Sequence, residues 1–283
     1  MKINELCIDC IWKGQNRISD NPEYLSKAKE ILDTRKPEDT APYLTYQCDQ
    51  VYRKMFDSFV SFKQIKQDSN DFVLALEESI VKQIEAQKDP LASSIAYARN
   101  GNFIDYASKA SVDENEFLEV LQNAKFSKED EATYQEFEQA CKKANSFLLI
   151  ADNCGEIVLD KLFLRILKKR YPQLHLTVLV RGGDVLNDVT MEDALYIGLD
   201  EVATIVPSGK NIAGTIEEML SPEAKELLYT SDVIFAKGQG NYESLSDQNR
   251  DIFYSFLCKC DFFMEFFQVP RYTGLFIHEK RAE

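Results

Sequence analysis

The most constraining stretch of the chain is Phe147-Leu148-Leu149-Ile150-Ala151, an unbroken apolar run that passes at once into Asp152-Asn153-Cys154-Gly155-Glu156. A short run without polar alternation reads as a strand buried on both faces, and the turn behind it feeds a helical pattern over 157–169. The arrangement recurs downstream. Residues 174–180 form a β-rich run ending in Arg181-Gly182-Gly183, followed by a helix over 190–197. Residues 202–206 precede Pro207-Ser208-Gly209 and helical patterns over 215–220 and 222–228. Residues 232–236 lead into Lys237-Gly238-Gln239-Gly240-Asn241. Alternating strands and helices predict an α/β fold with a mostly parallel sheet covered on both faces. Ligands then bind where the strands end. Residues 252–263 are apolar and aromatic but interrupted by Lys259-Cys260-Asp261, and 273–277 read as a last strand.

Before Ser146 the pattern is helical throughout, which predicts a helical N-terminal subdomain (1–145) packed on an α/β core (146–283). Asn21-Pro22 opens one helix and Arg35-Lys36-Pro37 closes it; 48–62 and 70–84 carry apolar residues at intervals of three and four. Asp89-Pro90 starts another, stopped by Asn100-Gly101-Asn102. Asp113 is placed to cap a short segment holding Phe117 and Leu121, and 128–144 form a charged amphipathic helix.

Charge narrows the partners. Against 33 Lys plus Arg stand 47 Asp plus Glu, a formal charge of −14. Such a surface repels a nucleic-acid backbone, and no basic cluster interleaved with aromatics offsets it. The same field opposes a phosphate substrate, so a local cation with a few placed basic side chains is required to bind one. No apolar run is long enough to span a bilayer, and the opening residues lack the pattern of a signal peptide. Seven scattered cysteines fit free thiols in a reducing, cytoplasmic setting better than a disulfide framework.

Three strand ends carry the candidate chemistry. Asp152 and Asn153 offer a carboxylate and an amide oxygen, hard ligands suited to Mg²⁺ or Mn²⁺, beside a helix start able to receive a phosphate oxygen. Glu156 and Asp160, four apart, face one side of that helix. After the second strand, Asp188 is placed to close the metal site with Asn187 beside it for substrate, and Arg181 can grip phosphate with two donors. Lys237 supplies a point charge for phosphate ahead of two glycines that permit close approach. Each feature has an ordinary counterpart: Asp152-Asn153 as a capped turn, Asn187 or Asp188 as an N-cap, Arg181 as a surface ion pair. Their convergence on one sheet edge is what selects the chemical reading.

The ordered set Gly101-Asn102-Phe103-Ile104-Asp105, Asp152-Asn153-Cys154-Gly155-Glu156 with Asp160, 181–190, Lys237-Gly238-Gln239-Gly240-Asn241-Tyr242-Glu243 and Lys259-Cys260 resembles the DUF89 proteins. That family includes damage-control phosphatases and the proteins named acidic residue methyltransferase 1. The resemblance implies a Rossmann-like, three-layer α/β/α core behind a helical N-terminal part. It further implies one divalent ion (Mn²⁺, Mg²⁺, Co²⁺ or Ni²⁺) held by Asp152, Asn153 and Asp188. Asn102 and Asp105 match pocket-lining residues, while Glu156, Asn187, Arg181 and Lys237 match the substrate side. The implied activity is removal of phosphate from small metabolites such as sugar phosphates. Cys7-Ile8-Asp9-Cys10 looks like the cysteine pair of the microbial branch.

The expected catalytic set is Asp152, Asn153, Asp188, Glu156 and Lys237. Asp152 or Glu156 would orient water, or Asp152 would attack phosphorus itself. The non-enzymatic alternative is a sensor that binds a phosphorylated metabolite through the same pocket; a carboxyl methyltransferase ranks lower, because the first loop lacks the glycines of a usual methyl-donor site. Two histidines, His175 and His278, are too few for a histidine-rich zinc hydrolase. Serine-hydrolase and dinucleotide fingerprints are missing from the sequence. The Cys7/Cys10 pair reads as part of a packed helix face with Leu6 and Ile11.

Overall fold

The computed structural model describes residues 1, 3–58, 61–104 and 114–281. Among these, seven helices precede the first strand: α1 (Glu5–Ile18), α2 (Pro22–Asp33), α3 (Ala41–Phe56), α4 (Lys63–Glu85), α5 (Pro90–Gly101), α6 (Glu114–Gln122) and α7 (Lys128–Lys143). The remainder alternates: β1 (Ser146–Ile150), α8 (Glu156–Arg170), β2 (His175–Val180), α9 (Met191–Tyr196), β3 (Thr204–Pro207), α10 (Pro222–Thr230), β4 (Val233–Lys237), α11 (Gln239–Leu245), β5 (Ile252–Leu257), α12 (Asp261–Phe267) and β6 (Gly274–Glu279). No helix of the described residues is long and apolar enough to cross a membrane.

Local chemistry sets most helix starts. Asn21 and Asp89 accept from the first-turn N–H groups ahead of Pro22 and Pro90, and Ser127 forms a capping box with Asp130. Three expectations change. The helix expected over 48–62 begins at Ala41, where the Thr40 side chain caps it ahead of Pro42, and ends at Asp57 with φ 45°. The pattern over 70–84 belongs to a longer helix starting at Lys63. The helix expected over 215–220 shrinks to a 3₁₀ turn at Glu217–Met219, because Thr215 N donates to Ser244 Oγ rather than back along a helix. Asp113 and Asp105 lie outside the described residues.

The sheet order is β3-β2-β1-β4-β5-β6, parallel except for β6. The chain winds outward from β1 through β2 to β3, then returns to place β4 on the other side of β1. The order therefore reverses between β1 and β4, and a crevice opens beyond their carboxyl ends. Both faces are covered: Phe147, Leu149, Val178, Phe235 and Phe253 pack under α4, α5, α7 and α8, while Leu148, Ile150, Ile234 and Phe256 pack with residues of α10 and α12. Secondary structure changes at Ser146, but packing does not divide there. Val73, Leu91, Phe117 and Phe137, from α4 to α7, share one continuous core with the sheet, whereas α1–α3 bury separate small clusters around Leu44 and Tyr24. On α1 only Ile11 of the expected face is buried; Leu6 and Cys10 are exposed and Cys7 half-buried.

Candidate active site

Backbone bonds assemble the site before any side chain acts. The segment after β2 folds back over the turn after β1: Val189 N donates to Asp152 O (2.9 Å), Cys154 N to Asn187 O (2.9 Å), and Asn153 pairs with Asp188 in an antiparallel bridge. Asp188 is thus delivered beside Asn153. It is not the cap of α9, since Thr190 occupies that position, its N and Oγ1 donating to Asp193 at 2.8 and 2.6 Å. Across the switch point, Gly238 adopts φ 78°, and a Cβ there would collide with the Asp152 carboxylate. The glycine makes room for Asp152 rather than for a ligand.

Arg181, at the end of β2, lies between the two acids. Its Nε donates to Asp188 Oδ2 (2.6 Å), Nη2 reaches Asp152 Oδ1 (3.5 Å), and Nη1 donates to Gly214 O and Asn241 Oδ1 (both 3.1 Å). It is 2% exposed, so the expected phosphate grip gives way to a clamp on the carboxylates. Asn241, next in this chain, donates to Ala151 O and Lys237 O and ties β1 to β4.

Lys237 changes part as well. Its ammonium is completely buried and meets Glu156 Oε1 (2.7 Å), Asp160 Oδ1 (2.7 Å) and Ala98 O (2.8 Å). Two hydrogen bonds and one ion pair hold it, and its complete burial keeps it from a phosphate. Burial would lower its pKa, but Asp160 and Glu156 raise it, so the charge is kept. Glu156 passes the order on. Its Oε2 accepts from Asn102 Nδ2 (2.8 Å) and Asn153 Nδ2 (3.1 Å), and both amides also donate to Asp152 Oδ2, at 3.0 and 2.7 Å. Asn102 Oδ1 accepts from Leu257 N (3.2 Å), so this buried side chain is a strut between α5, β1 and β5. Asn187 Nδ2 donates to Ile104 O (3.4 Å), while its buried Oδ1 has no hydrogen-bond partner among the described residues.

The charge balance fits a cation. Asp152, Glu156, Asp160 and Asp188 surround two clamping cations, Arg181 and Lys237. Burial, then the charges of Asp188 and Glu156, push the Asp152 carboxyl well above its ordinary value, although Arg181 and Lys259 pull it down. Asp160 is raised as well, by burial first and then by Glu156, with Lys237 opposing. Among the described residues no three His, Cys, Asp or Glu side chains gather as a metal cage. The donor set here is mixed: two carboxylates and the amide of Asn153, whose Nδ2 faces Asp152 and Glu156 and so turns Oδ1 away from them. Hard oxygens with surplus negative charge suit a divalent ion of the Mg²⁺ or Mn²⁺ kind.

Lys259, quoted above with Cys260 for the resemblance, carries no role in the sequence reading. It follows the end of β5, is 6% exposed, and its charge acts on Asp152. The strand-end rule applied to the other three turns would have found it, had 252–263 been divided into β5, a turn and α12.

The family model for the damage-control phosphatase ARMT1-like domain matches residues 2–275. A damage-control phosphatase of Archaeoglobus fulgidus is 27% identical over 278 residues, covering 92% of this chain and 93% of that protein. The damage-control phosphatase PH1575 of Pyrococcus horikoshii is 29% identical over 174 residues, 60% of this chain and 59% of that one. A crystal structure of a DUF89 family protein from Pyrococcus horikoshii superposes with a TM-score of 0.81 at 22% identity, covering 99% of this chain and 100% of that one. This is the three-layer fold expected above.

Proposed function

We propose that this chain, which belongs to the damage-control phosphatase ARMT1-like family, removes phosphate from a small phosphorylated metabolite with the aid of one divalent cation. The observation that carries the reading is the meeting of Asp152 and Asp188, from separate strand-end turns, on the two sides of one buried arginine. Asp152, Asn153 and Asp188 would hold the ion, which when bound supplies positive charge against the phosphate and its transition state.

The protein's own groups have separable tasks. Arg181 orients the two acids. Lys237 fixes Glu156, and Glu156 fixes the amides of Asn102 and Asn153. With Glu156 wholly buried against Lys237 and the Asp152 side chain 12% exposed, Asp152 is the carboxylate to orient an attacking water or to attack phosphorus itself. Lys259, whose charge acts on Asp152, supplies positive charge on the phosphate side in place of Lys237. Asn187 Oδ1, lacking a hydrogen-bond partner among the described residues, accepts a hydrogen bond from a hydroxyl of a sugar-like substrate.

A panel of sugar phosphates assayed with Mn²⁺, Co²⁺, Ni²⁺ and Mg²⁺ tests the reading. Metal-dependent phosphate release that Asp188→Ala lowers by roughly 10²–10³-fold supports it. Ligand binding without phosphate release with any of the four ions would favour a sensor instead. The stereochemical course at phosphorus separates the two attacks: net retention marks two in-line displacements through a covalent aspartyl-phosphate, and net inversion marks a single direct attack by water.

A further inference from the structure

Lys66 is remote in sequence from every turn of the site, yet it is 3% exposed on the first turn of α4. Its ammonium meets Asp193 Oδ2 at 2.5 Å and Asp184 Oδ1 at 3.2 Å. Burial would lower its pKa, and the bonds to Asp193 and Asp184 raise it instead. These two partners flank Asp188, four residues before it and five after. Asp193 also closes the start of α9 through Thr190. Lys66 therefore pins both ends of the segment that delivers Asp188.

One helical turn later the same helix grips the other ligand turn. Asn70 Oδ1 accepts from Gly155 N at 2.6 Å, two residues beyond Asn153. Gly155 holds φ 79°, and a Cβ there would lie 3.1 Å from Ser69 O, so α4 packs directly on this turn. Residues i and i+4 share a helix face, so Lys66 and Asn70 present adjacent grips of fixed spacing.

We propose that α4 is the brace that sets the separation of the two cation-bearing turns, with Lys66 holding the Asp188 segment and Asn70 the Asp152–Asn153 turn. The inference rests on the reading of Asp152, Asn153 and Asp188 as ligands. Lys66 and Asn70 are positioning residues and touch neither substrate nor ion. Loss of an outer-shell partner lowers metal affinity by roughly 10–100-fold in known metal sites, and that is the size of effect a brace predicts.

The test is a Mn²⁺ titration of the full chain followed by thermal unfolding, with the KM for p-nitrophenyl phosphate measured at saturating Mn²⁺. In Lys66→Met the Mn²⁺ concentration giving half the stabilisation should rise about 10-fold or more, with KM within about twofold of wild type. Lys66→Arg, which keeps the charge, should lie nearer wild type. Asp184 is exposed, so Asp184→Asn removes one grip with little risk to folding and should move the midpoint in the same direction by a smaller factor; it decides the matter if Lys66→Met does not fold. A wild-type shift with unchanged midpoints in the variants overturns the brace alone. A wild type that no divalent ion stabilises overturns the ligand reading and the brace with it.

Discussion

The turns at the ends of β1, β2 and β4 carry ionised groups crowded against one another, whereas the helices facing them, α4 and α5, contribute amides and a single lysine. Asp152 and Asp188 repel across Arg181, and Glu156 and Asp160 share Lys237. By contrast Asn102 joins Asp152 and Glu156 to the Leu257 N–H of β5, Asn70 Oδ1 accepts from Gly155 N, and Lys66 meets Asp184 and Asp193. The difference teaches that the α/β half carries both the crowded charge and the clamps that order it, Arg181 and Lys237, while the helical half adds contacts that hold the turns from outside.

The largest expected effect comes from the ion pairs at the root of the site. Lys237→Met would leave Glu156 and Asp160 buried without a counter-charge, and breaking a buried pair costs about 3–5 kcal/mol, to be read from urea unfolding. Equal stability of this variant and wild type would break the comparison. Next, Asp188→Ala should lower phosphatase activity by roughly 10²–10³-fold, as removal of one preorganised electrostatic group does, with folding retained by circular dichroism. Leu44→Ala, in the small cluster of α1–α3, should cost about 2–3 kcal/mol, near the low end for a buried leucine, while leaving kcat of the folded protein unchanged. A drop in kcat would show that the outer helices also order the site.

The smallest effect concerns pH. Asp152 and Asp160 are raised from their ordinary 3.8, Asp160 to about 7. A carboxyl raised by folding favours the fold while protonated, so that stabilisation is present below pH 3.8 and is lost as pH climbs toward 7. The metal-free protein should therefore show a melting temperature that Asp160 pulls downward between about pH 4 and pH 7, with Asp152 pulling the same way as it ionises above its ordinary value. Asp152→Asn should flatten this slope and raise the neutral-pH melting temperature even as activity disappears, the trade expected where function holds like charges together. A steeper slope in the variant would contradict the assignment.

Much of the sheet was legible because unbroken apolar runs ending in Gly, Asp or Asn admit few other readings. Asp152 and Asn153 stand out as candidates for the same reason, directly behind a strand pattern, and Asp188 stands out only through the glycine turn that follows the next strand. Their neighbours were less legible. Arg181 and Lys237 are strand-end cations in sequence, but which acids they meet depends on the depth to which β2 and β4 bury them. Lys66 carries no local signal, since a lysine in the first turn of an amphipathic helix reads as solvated. The start of α3 was missed because Thr40 and Pro42 cap it before its apolar spacing becomes regular.

Anomalous diffraction from crystals soaked in Mn²⁺ addresses the central assignment most directly. The account predicts one strong peak within ligand distance, about 2.0–2.6 Å for hard cations, of the side-chain oxygens of Asp152, Asn153 and Asp188, and its loss in Asp188→Ala. A peak elsewhere at saturating Mn²⁺, with Arg181 alone bridging the two acids, would contradict it.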